Sequence, residues 1–323
     1  MQNYKPEKII YCKASEIASY LSGFNQIILV GNFLKPVISG AKTISIPDGE
    51  NAKTMDVVNI LWDMFSRYDV DDRSIVISMG GGSASDVVGF AAANYKRGVP
   101  FASIPTTLLS MVDASVGTKR AINFNGAKNL IGCFYPAQII FICSEFLESL
   151  DCTELQNGYV EAIKLSLLCG FKLSKNAEDM VKQCIDAKQK IVMQDPFDKL
   201  GIRMSLNYGH TLGHALESLS KFDISHGIAV ATGMDFSAAL TNNTKVQNLI
   251  QAQLQEFGVM SSVNKVKASL SGEDIDNVME FVSKDKKLSD GKLGFVVLED
   301  FGKPAILQIT LEEIKSSLLK YIS

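Results

Sequence analysis

The sequence predicts an α/β domain with a mainly parallel, Rossmann-like sheet over residues 1–150, followed by a mostly α-helical domain over residues 151–323. In the first half, short apolar runs alternate with stretches whose apolar residues recur at helical spacing. Such alternation is typical of a parallel sheet with helices on its faces. After Asp151 helical spacing dominates, and 323 residues, 46% of them hydrophobic, suffice for two cores.

The predicted strands of the first half are short apolar and β-branched runs. They cover residues 26–30, 43–47, 74–78, 101–105 and 139–143. Apolar residues at helical spacing predict a helix over residues 57–68, and a second helix is predicted over residues 86–95.

The second half contains predicted helices and two short predicted strands. The helices cover residues 154–168, 177–194, 209–219, 228–240 and 246–257, and the strands cover residues 293–298 and 306–309. The change of pattern near Asp151 is the reason for placing the domain boundary there.

Composition argues against several classes of function. A net charge of −3 and a sequence pI near 5.7 leave no basic footprint for nucleic acid. The first residues are polar, and no apolar run reaches about 20 residues, so neither a secretory signal nor a membrane helix is predicted. The six cysteines form no CxxC pair, and we expect reduced thiols in a cytoplasmic protein.

A run of three glycines joins a predicted strand to a predicted helix. The motif is Gly80-Gly81-Gly82, and Asp86 lies near the start of the helix. Glycines let backbone N–H groups approach a ligand closely, and a helix N-terminus favours a phosphate. The motif is neither GxGxxG nor a Walker loop, so a tight strand-to-helix turn explains it equally well.

All three histidines of the chain fall within one short stretch. His210 and His214 share a helix face, and His226 follows soon after. Glu161 lies in an otherwise apolar helical stretch, and a carboxylate with histidines is a natural catalytic site for Zn²⁺. Ordinary core or surface histidines remain the alternative, and the absence of HExxH argues against a zincin-type protease.

Several cations lie in turn-like or small-residue contexts. These are Arg97, Lys119, Lys128 and Arg203, the last on the same predicted helix face as Asn207. Such side chains can clamp phosphate and carboxylate groups. Taken one at a time, each is better explained as a solvated surface charge.

Ordered motifs from about Pro47 to about Leu298 resemble the 3-dehydroquinate synthase family of sugar-phosphate cyclases. The matching segments are residues 47–50 (PDGE), 80–82 (GGG) with Asp86, 95–98 (YKRG), 105–109 (PTTLL), 112–117 (VDASVG), 128–132 (KNLIG), 161–164 (EAIK), 206–214, 226–227 and 284–287 (KDKK). Many ordered motifs at matching spacings are more specific than any one of them.

The resemblance implies a role for each matched residue. Implied metal ligands are Glu161, His210 and His226, with His214 contacting the substrate or the second sphere. Implied substrate-binding residues are Asp113, Lys119, Asn129, Lys164, Lys188, Arg203, Asn207 and Lys286 or Lys287, with Arg97 reaching in from a second subunit of a homodimer. Implied NAD-binding residues are Glu50, Lys53, Gly81, Gly82, Asp86, Thr106, Thr107, Lys119 and Lys128.

The chain also departs from the family pattern. Thr118 stands where the family usually has glycine, and residues 123–126 lack the usual histidine. Asn32 follows the first strand where an aspartate normally meets the cofactor ribose, and residues 195–203 are one residue longer. These departures bear on NAD binding more than on the metal-assisted chemistry.

The resemblance implies conversion of 3-deoxy-D-arabino-heptulosonate 7-phosphate to 3-dehydroquinate and phosphate, with NAD and Zn²⁺ or Co²⁺ as cofactors. Transient oxidation by NAD⁺ acidifies a C–H bond, phosphate leaves, the hydride returns and the ring closes. Alternatives are a 2-deoxy-scyllo-inosose or valiolone-type synthase, a metal-dependent glycerol or alcohol dehydrogenase, and a regulatory protein without activity. Lys164, Arg203 and Asn207 favour the synthase, and the implied ligand set argues against an inactive scaffold.

Overall fold

The chain forms two compact units in the computed structural model, which describes residues 8–32, 37–220, 223–285 and 291–323. One unit comprises Met1–Asp151 and Asn176–Lys199, and the other comprises Cys152–Lys175 and Leu200–Ser323. The single boundary predicted near residue 150 assigns residues 176–199 to the second domain. The structure groups them with the first unit, and the buried Lys188 of this segment forms an ion pair with Asp113 of that unit.

The helices and strands follow one another along the chain. The strands are β1 (Lys8–Tyr11), β2 (Gln26–Gly31), β3 (Lys42–Ser45), β4 (Ser74–Gly80), β5 (Phe101–Pro105), β6 (Lys119–Phe124), β7 (Ala127–Phe134), β8 (Ile139–Ile142), β9 (Lys292–Asp300) and β10 (Lys303–Thr310). The α-helices are α1 (Met55–Arg67), α2 (Gly82–Asn94), α3 (Cys152–Cys169), α4 (Ala177–Gln194), α5 (His210–Leu219), α6 (His226–Leu240), α7 (Thr244–Glu256), α8 (Met260–Ser269), α9 (Gly272–Asp285) and α10 (Leu311–Ile322). Short 3₁₀ turns, such as Ala14–Leu21 and Ile202–Asn207, connect several of them.

The first unit is built on a parallel sheet, as predicted. Its six strands lie in the order β1-β8-β5-β4-β2-β3, and every pairing between them is parallel. β4 is buried along almost its whole length, which is typical of a central strand covered on both faces. The prediction of a mainly parallel sheet in this half is confirmed.

Successive residues of β4 point to opposite faces of the sheet, and each face has its own cover. Ile75 and Ile77 belong to a core cluster with Ile17 and Leu21 of the 3₁₀ turn Ala14–Leu21. On the other face, the Ser78 hydroxyl donates to Ser103 of β5, which also contacts Ser85 of α2 at 3.5 Å. The sheet therefore has packed layers on both sides.

An antiparallel hairpin, β6–β7, lies between the sheet strands β5 and β8 in the chain and was not predicted. Its turn contains Asn125 and Gly126, which both have positive φ. Two consecutive positive φ values are typical of the tight turns that favour Asn-Gly. Many of its side chains are exposed, so it lacks the apolar pattern that reveals a buried strand.

The second unit is mostly helical, as predicted, with one antiparallel pair, β9–β10. Its central helix is α6, which is buried on all sides from Gly227 to Ala238. A carboxylate inside this unit, Asp235, accepts hydrogen bonds from Tyr321 of α10 at 2.7 Å and from Gln251 of α7 at 2.8 Å. Among the described residues, no helix has the length and apolarity needed to cross a membrane.

Candidate functional site

Three ligand-type side chains of the second unit converge from three helices. Glu161 lies in the middle of α3, while His210 and His226 are the first residues of α5 and α6. Both histidine Nε2 atoms lie 3.6 Å from Oε1 of Glu161. One donor atom of each residue falls within 4.8 Å of the other two, so the three could hold one cation.

Glycines allow these helices to approach so closely. A Cβ on Gly213 would lie 3.2 Å from Cα of Val230 in α6, and a Cβ on Gly227 would lie 2.6 Å from Cα of Asn157 in α3. The N–H of Gly227 instead donates to Oδ1 of Asn157 at 2.8 Å. Backbone contact between the helices therefore places His210 and His226 against Glu161.

The second nitrogen of each imidazole faces a group that only accepts hydrogen bonds. Nδ1 of His210 lies 3.0 Å from the carbonyl oxygen of Tyr208, and Nδ1 of His226 lies 3.0 Å from Oε2 of Glu217. A carbonyl or a carboxylate cannot donate, so the proton of each neutral ring belongs on Nδ1. Both Nε2 lone pairs are then directed to the side where Glu161 lies.

The electrostatics of the cluster suit a cation. Burial lowers the pKa of His210 to about 3, with the Lys164 ammonium acting in the same direction, so this ring stays neutral. Burial opposes ionisation of Glu161, yet Lys164 and the histidines outweigh it and hold the pKa of this carboxyl well below its usual value. Burial likewise lowers the pKa of His226, but the flanking Glu161 and Glu217 carboxylates raise it to about 9. These two carboxylates thus favour positive charge at this ring, and a bound metal would take the place of the Nε2 proton.

The residues fit a divalent metal. Glu161 is 1% exposed and its Oε2 pairs with the Lys164 ammonium, but Oε1 lies 3.6 Å from Nε2 of both histidines and has no hydrogen-bond donor among the described residues. Buried carboxylate oxygens rarely lack such partners. Zn²⁺ at about 2.0–2.1 Å from tetrahedral ligands would set donors about 3.3 Å apart, close to the 3.6 Å seen here.

Other predicted residues of the second unit lie around this cluster or nearby in sequence. The Lys164 ammonium is 2% exposed and forms an ion pair with Glu161. The rings of His214 and His210 meet edge to face with centroids 5.3 Å apart. Arg203 is buried and Asn207 is exposed, both in the 3₁₀ turn Ile202–Asn207. Lys286 and Lys287 lie outside the described residues.

The predicted phosphate-binding glycines of the first unit lie where β4 meets α2. Gly81 is the N-cap of α2, so no side chain caps the first turn of this helix. A Cβ on Gly82 would lie 2.9 Å from Cβ of Ala114, and a Cβ on Gly81 would lie 3.5 Å from Thr107. The N–H of Thr106 donates to the carbonyl of Gly80 at 3.0 Å and extends the pairing of β5 with β4 beside this turn. Backbone donors at a helix N-terminus beside the carboxyl ends of parallel strands fit a dinucleotide phosphate.

Several predicted NAD-binding residues form one polar network beside this turn. The buried Lys53 ammonium pairs with Asp86 at 2.7 Å and also donates to Asn129. Burial raises the pKa of Asp86, and Lys53 counteracts it. Asn123 links the network to Glu50, since its amide donates to that carboxylate at 2.7 Å.

Two further ion pairs join predicted substrate-binding residues to other parts of the first unit. Lys188 of α4 pairs with Asp113 at 2.7 Å, and Lys119 pairs with Asp198 at 2.6 Å. The hydroxyl of Thr118, where the family usually has glycine, donates to the Pro196 carbonyl at 2.7 Å. The departure at this position therefore connects the loop before Lys119 to the longer loop at residues 195–203.

The remaining predicted residues of the first unit are surface cations. Arg97 ends the 3₁₀ turn Tyr95–Arg97 with a φ of +66° and is exposed. Lys128 is exposed on β7.

Sequence analysis did not identify some residues of the site. Glu217, which contacts His226, shares a face of α5 with His210 and His214, because the three are spaced i, i+4 and i+7. This spacing was a signal that could have revealed it. Asn123 and Asp198 gave no such signal, since their partners lie 73 and 79 residues away in sequence.

Comparison with known families gives two adjoining matches. The model described as 3-dehydroquinate synthase N-terminal matches residues 43–157, and the one described as 3-dehydroquinate synthase C-terminal matches residues 158–288. A 3-dehydroquinate synthase from Rippkaea orientalis (strain PCC 8801 / RF-1) is 34% identical over 341 residues, covering 98% of this chain and 90% of the relative.

Solved structures share the fold. A 2-deoxy-scyllo-inosose synthase complexed with carbaglucose-6-phosphate, NAD⁺ and Co²⁺ aligns with a TM-score of 0.83 and 22% identity, covering 97% of this chain and 96% of that one. A 2-epi-5-epi-valiolone synthase from Streptomyces hygroscopicus subsp. jinggangensis 5008, with NAD⁺ and Zn²⁺ bound, aligns with a TM-score of 0.82 and 20% identity, covering 99% and 98%. At these identities the likeness concerns the fold.

Proposed function

The chain belongs to the 3-dehydroquinate synthase family, and from this premise we propose that it converts 3-deoxy-D-arabino-heptulosonate 7-phosphate to 3-dehydroquinate and phosphate, using NAD and a divalent metal. The reaction belongs to the shikimate pathway, which leads to chorismate and the aromatic amino acids. The observation that carries the proposal is the convergence of Glu161, His210 and His226 beside the buried Lys164 ammonium.

The proposed metal is Zn²⁺ or Co²⁺, held by Glu161 and by Nε2 of His210 and His226. Such an ion, when bound, polarises a substrate hydroxyl and stabilises negative charge on its oxygen. The protein's part is to keep three donors close together and largely away from water. Lys164 adds a buried ammonium at the same place, which suits it to hold an oxygen of the substrate.

The proposed dinucleotide site lies at the start of α2 in the first unit. Gly81 and Gly82 present backbone N–H groups to the pyrophosphate, and the contact between Lys53 and Asp86 holds both side chains beside the turn. NAD supplies a hydride acceptor that is restored within each turnover. Both neighbouring structures described above contain NAD⁺.

The remaining proposed contacts are charged and polar side chains that suit a phosphorylated sugar acid. These proposed residues are Asp113, Lys119, Asn129, Lys188, Arg203, Asn207, His214 and Lys286, while Lys128 is proposed to contact NAD. Fixed charge-assisted hydrogen bonds to carboxylate, phosphate and hydroxyl groups orient the substrate before any bond breaks. Buried Lys188 and Arg203 are held in place by the fold, at 6% and 7% exposure.

We also propose that the enzyme is a homodimer in which Arg97 contributes to the partner's site. Its exposed position in a strained turn suits a side chain that contacts a second copy. Sedimentation velocity should show a dimer. Mixing an Arg97→Ala chain with a Lys164→Ala chain should restore about a quarter of the activity by random assembly, because one site in each mixed dimer is intact. No recovery on mixing would contradict the shared site.

The activity is tested by incubating the purified protein with the heptulosonate phosphate, a catalytic amount of NAD⁺, and Zn²⁺ or Co²⁺. We expect continuous release of phosphate and formation of 3-dehydroquinate without accumulation of NADH. Stoichiometric accumulation of NADH would instead identify a dehydrogenase. Absence of phosphate release from this substrate would refute the proposed reaction.

The metal assignment is tested with Glu161→Gln, which keeps the side-chain shape and removes the charge. We expect loss of bound metal and of activity. Both losses should exceed the roughly 100-fold that can follow from substituting a residue that only hydrogen-bonds a metal ligand. Glu256→Gln is the matched control, since Glu256 pairs with Lys175 at 2.8 Å on the surface of the same unit. A Glu161→Gln protein with full metal content would refute the assignment.

A further inference from the structure

We propose that Glu217 is a positioning residue that fixes the tautomer and orientation of His226, so that metal affinity depends on a carboxylate outside the ligand set. The inference rests on the proposed metal site. It assigns a role to a residue that neither the sequence motifs nor the proposed ligand set includes.

The geometry of the contact carries the inference. Oε2 of Glu217 lies 3.0 Å from Nδ1 of His226, while Nε2 of the same ring lies 3.6 Å from Glu161. The two nitrogens of His226 therefore face two different carboxylates. A carboxylate at Nδ1 retains the proton there, and the lone pair of Nε2 remains available to a metal.

Glu217 is held firmly enough to act in this way. It lies in α5, whose first residue is the ligand His210, and it is 8% exposed. A buried carboxylate without a charged or donor partner is costly, and the His226 N–H supplies a donor. One helix therefore provides both a ligand and the group that orients the next ligand.

The two histidines differ in how they are oriented. Nδ1 of His210 faces the backbone carbonyl of Tyr208, which no side-chain substitution removes. Nδ1 of His226 faces a side chain. Substitution of Glu217 should therefore disturb His226 selectively, and His210 provides an internal reference in the same protein.

The test compares Glu217→Gln, which removes the charge and keeps an acceptor oxygen, with Glu217→Leu, which removes both. Dissociation constants for Zn²⁺ and Co²⁺ are measured on the full chain by competition with a chromophoric chelator. We expect about 10-fold weaker binding in Glu217→Gln and a loss approaching 100-fold in Glu217→Leu. Unchanged affinity in Glu217→Gln together with a folded, fully metal-binding Glu217→Leu overturns the inference.

The matched control is Asp235→Asn. Asp235 is a buried carboxylate of the same unit whose hydrogen bonds come from Tyr321, Gln247 and Gln251 rather than from a proposed ligand. We expect this variant to be less stable with an unchanged Zn²⁺ dissociation constant. An equal loss of affinity in Asp235→Asn would attribute the Glu217 effect to general destabilisation and overturn the inference.

A second readout reports the tautomer directly. The chain has three histidines, so ¹⁵N labelling of the histidine rings yields three spin systems. In the Zn²⁺-loaded protein we expect a protonated Nδ1 on His226 that shifts in both Glu217 variants, while the His210 resonances stay in place. An unshifted His226 Nδ1 in Glu217→Leu overturns the inference.

The outcome for the wild type separates the two proposals. A wild-type protein that binds neither Zn²⁺ nor Co²⁺ refutes the proposed metal site and, with it, this inference. A wild-type protein that binds them as tightly as both Glu217 variants refutes the inference alone.

Discussion

The substitution Gly233→Ala tests how α5 and α6 pack, because two effects would change the free energy of unfolding in opposite directions. Gly233 lies inside α6, where alanine is favoured over glycine by about 1 kcal/mol of helix propensity. An added Cβ, however, would lie 2.8 Å from the carbonyl carbon of Gly209 and closer still to its oxygen. Those are backbone atoms, which cannot rotate away.

The clash should outweigh the gain in propensity. Overpacking costs about 1–3 kcal/mol and occasionally more, and a contact this close to backbone falls at the upper end. The Gly209 carbonyl also accepts from the N–H of Gly213 at 3.0 Å, so displacing it weakens the first turn of α5. We expect a net loss of about 2 kcal/mol, together with weaker binding of Zn²⁺ because His210 follows Gly209 directly.

Urea unfolding followed by circular dichroism measures the loss, and chelator competition measures the affinity. Gly272→Ala is the control, since Gly272 begins α9 and a Cβ there would have no atom within 4 Å. It should be neutral or slightly stabilising. If Gly233→Ala were the more stable protein by about 1 kcal/mol, propensity would dominate and the proposed close approach of the two helices would be wrong.

Two further predictions concern the second unit. Tyr321→Phe removes the hydroxyl that donates to the buried Asp235 at 2.7 Å, and it should lower the free energy of unfolding by about 1.5–3 kcal/mol in urea titrations. An unchanged midpoint would show that the amides of Gln247 and Gln251 suffice to satisfy the carboxylate. Hydrogen bonds from Thr310 lower the pKa of Glu313 below its usual value of 4.5. Its stabilisation of α10 is therefore present above that pH and is lost as the pH falls through the lower pKa of the folded protein. Glu313→Gln keeps the capping-box geometry without titrating, so its melting temperature should fall less than that of the wild type as the pH is lowered below about 4.5; parallel melting curves would contradict the assignment.

Most strands of the sheet were predictable because each is a short apolar run that can be recognised from the local sequence alone. Residues 74–78 form a β-branched apolar run, and the structure buries this run on both faces. β1 was missed, since Lys8–Tyr11 is only four residues long and is largely exposed. The Asn125-Gly126 dipeptide signals a hairpin, but neither strand beside it shows an apolar alternation in sequence, because β7 is largely exposed and β6 buries Arg120 together with Ile122.

The candidate site was predictable only where contacts are local or where motifs resemble a family. Spacing places His210 and His214 on one helix face. In the structure, however, His210 meets Glu161 and His226, which lie on two other helices, and periodicity does not predict how helices are arranged around one another. The partner of His226 could not be deduced either, since it depends on how α5 packs on α6. Periodicity identifies the buried face of a helix and says nothing about which element covers it.

The return of α4 to the first unit has a consequence for folding on the ribosome. A chain grows from its N-terminus, and domains tend to fold as they emerge. The first unit is still incomplete when β8, its sixth sheet strand, has emerged. Lys188, the partner of Asp113, is synthesised 75 residues after Asp113. The surface around Asp113 that binds α4 therefore stays uncovered in the nascent first unit until α3 of the other unit, and then α4, have passed through the exit tunnel. A gene fragment that stops at Asp151 would end translation in that unfinished state.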